Sequence, residues 1–265
     1  VPQLAEDWER SDDATEWTFS LREGVRFHDG TRFDADAVLA NFERYEAVGV
    51  GSSQFYSFSL GRFYPGYEGI EKVDEYTIRL TFDRPKPMLP YAMTSWGSAM
   101  FSPDSFDEDG DFTETPAGTG HFEIIERQAD EYAVLGRFDD YWGEPAASEQ
   151  IRIRMIPQGS TRVSALRAEE VMGLMDIGAI RPLDAQQLAS EDRFEVLSAR
   201  SSIIHYLALN GTQAPFSDGR MRRAVSLAVD RELIAEEFYY GYADPAPHIL
   251  NHASPFYESL PVEHD

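Results

Sequence analysis

Cysteine is absent from this 265-residue chain, which removes disulfide staples, thiolate nucleophiles and cysteine-built zinc sites together. Lysine is scarce: Lys72 and Lys86 are the only two, and every other cation is arginine. Lysine and arginine number 23 against 47 acidic residues, a formal net charge of −24. A surplus of that size repels phosphate backbones and anionic lipid surfaces, so no nucleic-acid partner is expected. Arginine in place of lysine on a carboxylate-rich surface suits solubility in concentrated salt, where self-repulsion is screened; a halophilic source is the expectation. No apolar run approaches the length of a membrane span. A strand-and-turn pattern is under way from the first residues, so any signal segment is expected upstream of Val1 and any anchor outside this chain.

Reaction motifs are also missing. There is no GxSxG elbow, no SxxK and no phosphate-cradling GxxxxGK. Gly49-Val50-Gly51 lacks a leading strand and a third glycine, and reads as loop. His248 and His252 have a one-turn spacing, but Pro245 and Pro247 oppose a helix there. Asp107, Asp109 and Asp111 alternate like the start of a calcium loop, yet Gly110 does not stand where that pattern has its glycine, and a solvated acidic turn is expected. Paired carboxylates carry no signal in so acidic a chain. No catalytic residue, metal or cofactor is therefore expected.

What is present is a protein that can bury cores: 42% of residues are apolar and 13% aromatic, enough for two modest domains. Residues 17–30, WTFSLREGVRFHDG, begin as a half-buried strand with Trp17, Phe19 and Leu21 on one face, and end in the hairpin signal Asp29-Gly30. Asp34 is placed to cap a helix through Val38, Leu39, Phe42 and Tyr45. Residues 49–66 read as a glycine- and aromatic-rich loop, and residues 76–82 as a strand. Residues 115–122, TPAGTGHF, form a turn whose glycines suggest a need for freedom at φ. Phe122 with Ile124, then Tyr132 with Val134, alternate as strands leaving that turn and returning. The turn reads as a crossover between two lobes with a ligand cleft beside it.

Beyond it, strands are expected over 151–156, 175–180, 194–197 and 203–209, and helices over 160–170 and 183–188. Asp218 heads a last helix with Met221, Val225, Ala228 and Leu233 as its buried face. Three places carry binding chemistry. Trp96, flanked by Ser95 and Gly97, can present an aromatic face at a loop. Arg137 precedes Tyr141-Trp142, where a guanidinium can hold a carboxylate. His205, Tyr206 and Asn210 flank the last strand.

Three segments, in order, resemble the family 5 extracellular solute-binding proteins, which bind oligopeptides, dipeptides and nickel for ABC importers. They are LAEDW with WTFSLREGVRFHDGTRFDADAV, TPAGTGHF with RFDDYWG, and NGTQAPFSDGRMRRAVSLAVDREL. His121, where the family usually has proline, and the lengthened turn at residues 171–175 depart from the pattern. The resemblance implies an α/β fold like that of type II periplasmic binding proteins, with two lobes and an extra domain. By it, residues 1–112 are the extra domain, 113–208 most of the first lobe, and 209–265 the start of an incomplete second lobe.

The function implied is extracytoplasmic delivery of peptides or similar small solutes to an ABC transporter permease, without enzymatic turnover. The family includes lipoproteins. Nickel-chelate binding in the same family is the alternative, favoured by residues 182–210 and disfavoured by the lack of a second arginine near residues 93–101. A carbohydrate-active enzyme and an aromatic-rich scaffold are the alternatives outside the family.

Overall fold

Trp17, Phe19 and Leu21 do face one side, and they found the core of the molecule: all three are buried in a cluster with Ile78, Leu80, Phe82, Val38, Phe42 and Tyr45. The computed structural model describes residues 3–49, 60–95, 98–175, 178, 180–201, 203–250 and 257–258. It divides into two units, Val1–Met155 and Ile156–Asp265.

The first unit holds two antiparallel sheets. β1 (Ala5–Arg10), β2 (Glu16–Leu21), β3 (Tyr67–Asp74) and β4 (Thr77–Phe82) form one, in the order β1-β2-β4-β3. β5 (Phe122–Gln128), β6 (Tyr132–Arg137) and β7 (Gln150–Arg154) form the other, in chain order. Helix α1 (Ala35–Gly49) supplies the other side of the first core. Asp34 caps it as expected, its Oδ1 accepting the Ala37 N–H at 3.0 Å. Phe42 lies 5.9 Å from Tyr64 and 5.7 Å from Tyr67, so an aromatic layer fills the gap between helix and sheet. The Asp29-Gly30 hairpin is present, with Gly30 at φ +83° and Arg26 bridged to Arg32.

Strand β3 was not legible. Its register shifts twice, between Tyr67 and Gly69 and again between Lys72 and Asp74. The first bulge inserts a residue, so Tyr67 and Ile70 face the core three positions apart instead of two, and the second leaves Val73 unpaired and exposed. Helix α2 (Leu60–Phe63) likewise interrupts the expected loop; residues 50–59 lie outside the described residues. Pro90 sits in the short helix α3 (Leu89–Ala92), within its first turn, where a missing N–H costs nothing.

The second unit carries α4 (Gly159–Arg167), α5 (Pro182–Ala189), α6 (Gly219–Leu227) and α7 (Arg231–Glu237). Three expectations fail here. Residues 194–197 and 203–209 form no ladder among the described residues, because an apolar run becomes a strand only beside a hydrogen-bonding neighbour. Of the strand expected over 175–180, Met175, Gly178 and Ile180 are in no strand, and Asp176, Ile177 and Ala179 lie outside the described residues. The helix headed by Asp218 is two helices: Asp218 caps the first through the Arg220 N–H (2.9 Å), and Asp230 caps the second through the Leu233 N–H (2.8 Å). The face expected to be buried is not, since Met221 and Leu233 are 42% and 50% exposed and Ala228 is exposed.

A buried carboxylate in this unit yields a pH test. Arg181 holds Asp184 with two bonds, 2.6 and 2.9 Å. That pair keeps the Asp184 carboxyl below the usual carboxylate range, against the opposing effect of burial. A depressed folded value means the stabilisation is complete above the ordinary aspartate value and is lost as pH falls through the depressed one. Asp184→Asn should therefore unfold more easily than the parent at pH 7, and the gap should close in strong acid. Urea unfolding followed by circular dichroism at pH 7 and near pH 2 measures it; a gap that is the same at both would remove the pair from the account.

Candidate functional site

The turn at residues 115–122, expected as a crossover between lobes, lies within the first unit and is fastened from two directions. From the first sheet's side, the His28 N–H donates to the Gly118 carbonyl (2.9 Å), while its ring Nδ1 accepts the Gly118 N–H (3.2 Å). An Nδ1 that accepts leaves the proton on Nε2, which donates to the Gly120 carbonyl at 2.9 Å. Phe138 meets the His28 ring edge-on, with centroids 4.9 Å apart. From the side of β6, the Trp142 indole N–H donates to the Thr119 carbonyl (3.1 Å), and the Phe138 N–H to the His121 carbonyl (2.9 Å). Ala117 is buried in the first core and donates its N–H to Ser105 Oγ at 2.7 Å. Gly118 and Gly120 do not have positive φ, contrary to expectation, and a Cβ on Gly118 would meet His28 Cε1 at an ordinary 3.7 Å. What shapes this turn is its pairing to His28 and Trp142, not left-handed backbone.

Beside it lies an open pocket of about 650 Å³, where the ends of β1 and β2 meet the β3–β4 turn and Trp142. Arg22 is its central cation. It pairs with Glu6 at 2.8 Å, donates from Nε to the Gln3 carbonyl at 3.0 Å, and sits 4.7 Å from the Trp142 ring centroid. Glu23, Asp74 and Tyr76 complete the wall. Outward of Trp142, Tyr141 stacks on His121 at 3.9 Å. The pocket thus offers carboxylates, a guanidinium and an aromatic face.

The residues singled out from sequence are dispersed between the units. Ser95 is half-buried at the end of α3, its N–H bonded to the Ala92 carbonyl (3.1 Å) and its carbonyl to the Ser98 N–H (2.9 Å). Trp96 and Gly97 lie outside the described residues, as does His252. Arg137 is half-buried at the end of β6 and its Nε is 2.7 Å from Asp139 Oδ1; that bond raises its already high pKa. In the second unit, His205 and Tyr206 are exposed, with His205 5.9 Å from the Tyr239 ring. Asn210 Oδ1 accepts from the Thr212 N–H (3.0 Å) and hydroxyl (2.7 Å). Ser95 and Arg137 share a unit but no bond, and the other three form no common cluster by hydrogen bonding. Asp107 Oδ1 accepts the N–H groups of Asp109 and Asp111, both at 3.0 Å, so this acidic stretch is a self-capped turn. Sequence reasoning missed His28 as a fastening residue, although it stands in the hairpin signal FHDG.

The family model described as bacterial extracellular solute-binding proteins, family 5 Middle, matches residues 1–265. The chain belongs to that family. Glutathione-binding protein GsiB of Salmonella paratyphi A is 28% identical over 250 residues, covering 93% of this chain and 47% of that protein. Heme-binding protein A of Haemophilus influenzae is 27% identical over 269 residues, covering 94% and 48%. The structure of the periplasmic binding protein DppA from Helicobacter pylori, in complex with the peptide STSA, superposes with a TM-score of 0.79. It is 27% identical, over all of this chain and 55% of that one. The α/β architecture and the family expected from the sequence are thus both found. The chain spans about half the length of the relatives it matches. Those relatives are described by what they bind, and among the described residues no helix is long and apolar enough to cross a membrane.

Proposed function

We propose that this chain is the middle part of an extracytoplasmic solute-binding protein that hands peptides, or small solutes of similar size, to the permease of an ABC importer. The family match over residues 1–265 carries the reading. It agrees with a crossover held rigid by His28 and Trp142, since a binding wall gains affinity by being pre-organised. On this reading residues 1–112 are the extra domain, 113–208 most of the first lobe and 209–265 the start of the second. The protein has no catalytic turnover. Ser95, Trp96, Gly97, Arg137, His205, Tyr206 and Asn210 are its proposed ligand contacts. Peptides stand ahead of nickel chelates because residues 93–101 offer no second arginine to hold an anionic chelate beside Arg137.

Native mass spectrometry of the complete protein from its host, followed by calorimetry with di- to pentapeptides and glutathione, tests the reading. A co-purifying peptide-sized mass and saturable binding are expected; new products from the added compound would point to an enzyme. Arg137 has its own test. An ion pair to a carboxylate as exposed as Asp139 contributes little to folding, so Arg137→Ala should leave the melting midpoint nearly unchanged. If Arg137 lets go of Asp139 to hold a ligand carboxylate, the same change should weaken an anionic peptide at least about tenfold. An unchanged dissociation constant would take Arg137 out of the site.

A further inference from the structure

Both ring nitrogens of His28 are committed, and in opposite senses. Nδ1 accepts the Gly118 N–H and Nε2 donates to the Gly120 carbonyl, a pattern that only the neutral imidazole can make. The imidazolium has two donors and no acceptor. A proton on Nδ1 would therefore set two N–H groups against each other across 3.2 Å. Histidine is the side chain whose charge ordinarily changes between about pH 5 and 8, and this ring is only half-buried, so protons reach it. His28 follows β2 of the first sheet and Phe122 begins β5 of the second, so the ring spans a joint within the first unit.

Little around the ring can compensate for a second proton. Phe138 stands against it, with centroids 4.9 Å apart, which leaves the ring little room to turn in place. No carboxylate among the described residues bonds to it. Asp29, next to it on the hairpin, accepts the Thr31 N–H at 2.9 Å, and Asp139, beside Phe138, is held by Arg137 at 2.7 Å. His121, on the turn itself, stacks on Tyr141. Asp104, Glu114 and Asp140, on the adjoining segments, make no bond to the ring. The imidazolium would thus lose the Gly118 bond with no ion pair to replace it. The remaining fastenings do not titrate in this range: the Trp142 and Phe138 N–H groups hold Thr119 and His121, and the Ala117 N–H is bonded to Ser105.

We propose that His28 is a proton-sensitive latch between the two sheets of the first unit, closed while its imidazole is neutral and open at residues 118–120 once Nδ1 takes a proton. On opening, the Gly118 N–H loses its acceptor and the turn moves off the hairpin, while Trp142 and Phe138 keep it on the side of the second sheet. Ala117 stays in the first core, so the loosening is local and the unit does not unfold. The latch needs no solute, so it stands or falls apart from the transport reading.

Nuclear magnetic resonance of the protein from about pH 8 to about pH 5.5 reads both ends of the latch. As the His28 ring passes from one protonated nitrogen to two, the protection of the Gly118 amide, corrected for the intrinsic exchange rate at each pH, should fall at least about tenfold. The amides of β2 and β4 should keep theirs, which separates an opened latch from unfolding. His28→Gln retains a donor and an acceptor but has no proton to gain, so Gly118 protection should become independent of pH. His121→Gln, which removes the other histidine of this joint, should leave the parent's pH dependence as it is. Should the glutamine at position 28 fail to hold Gly118 at any pH, the parent's own paired titration of ring and amide decides. A ring that stays neutral down to about pH 5.5, or Gly118 protection that is unchanged once the ring is charged, would overturn the proposal. So would a pH dependence that survives His28→Gln or vanishes in His121→Gln.

Discussion

Raising chloride from about 0.05 M to about 2 M should raise the melting midpoint of this chain by roughly 10 °C. The cause is arithmetic on the surface. With 23 lysine and arginine residues against 47 acidic ones, most carboxylates lack a partner even if every cation is paired. The ion pairs that exist, such as Lys72–Asp36 and Arg79–Glu71, join exposed groups and contribute little each. Salt weakens those pairs, but it weakens the larger number of repulsions more. The screening length falls from about 10 Å at 0.1 M to about 3 Å at 1 M, shorter than the spacing of most surface charges. Screening saturates once that length is reached, whereas the strengthening of apolar burial by excluded salts keeps growing with concentration. The rise should therefore be steepest below about 0.5 M. Thermal melts followed by circular dichroism across the range decide it. A flat or falling midpoint, or a rise that is linear throughout, would remove charge repulsion as the controlling term.

Asn41→Leu should cost the first unit about 3–5 kcal/mol. Asn41 is fully buried on α1 and serves as the bolt between that helix and the segment leading to the turn at residues 115–122. Its Nδ2 donates to the Ala37 carbonyl (2.8 Å) and the Phe101 carbonyl (2.7 Å), and its Oδ1 accepts the Phe101 N–H at 3.0 Å. Leucine keeps the branched outline but is larger, so some overpacking adds to the cost of leaving two backbone groups of Phe101 without partners away from water. Tyr45 and Ser102 tie down the neighbouring chain, through the Ala99 and Ala117 carbonyls at 2.7 and 2.9 Å, so Phe101 cannot swing out to solvent at no cost. In a unit of this size the loss corresponds to roughly 10 °C in midpoint. A shift below about 3 °C would mean that water reaches Phe101 and that the bond is replaceable.

Local pattern determines most of the first unit. The alternation of Trp17, Phe19 and Leu21, the Asp34 cap and the Asp29-Gly30 turn each involve residues close enough in sequence for the backbone to impose the outcome. The family was legible for the same reason, because its three segments are local strings. The site was much less so. Ser95, Arg137, His205, Tyr206 and Asn210 are the right kinds of residue for binding. Whether such residues converge depends on chain separations that composition and period do not encode. His28 meets Gly118 and Gly120 some 90 positions away, and Asn41 meets Phe101 at 60. Tertiary structure also withheld strands from residues 194–197 and 203–209, and exposed the face of α6 and α7 that helical period marked as buried. Period reports which face of an element is apolar; only a neighbour brought across the fold can bury that face or complete a ladder.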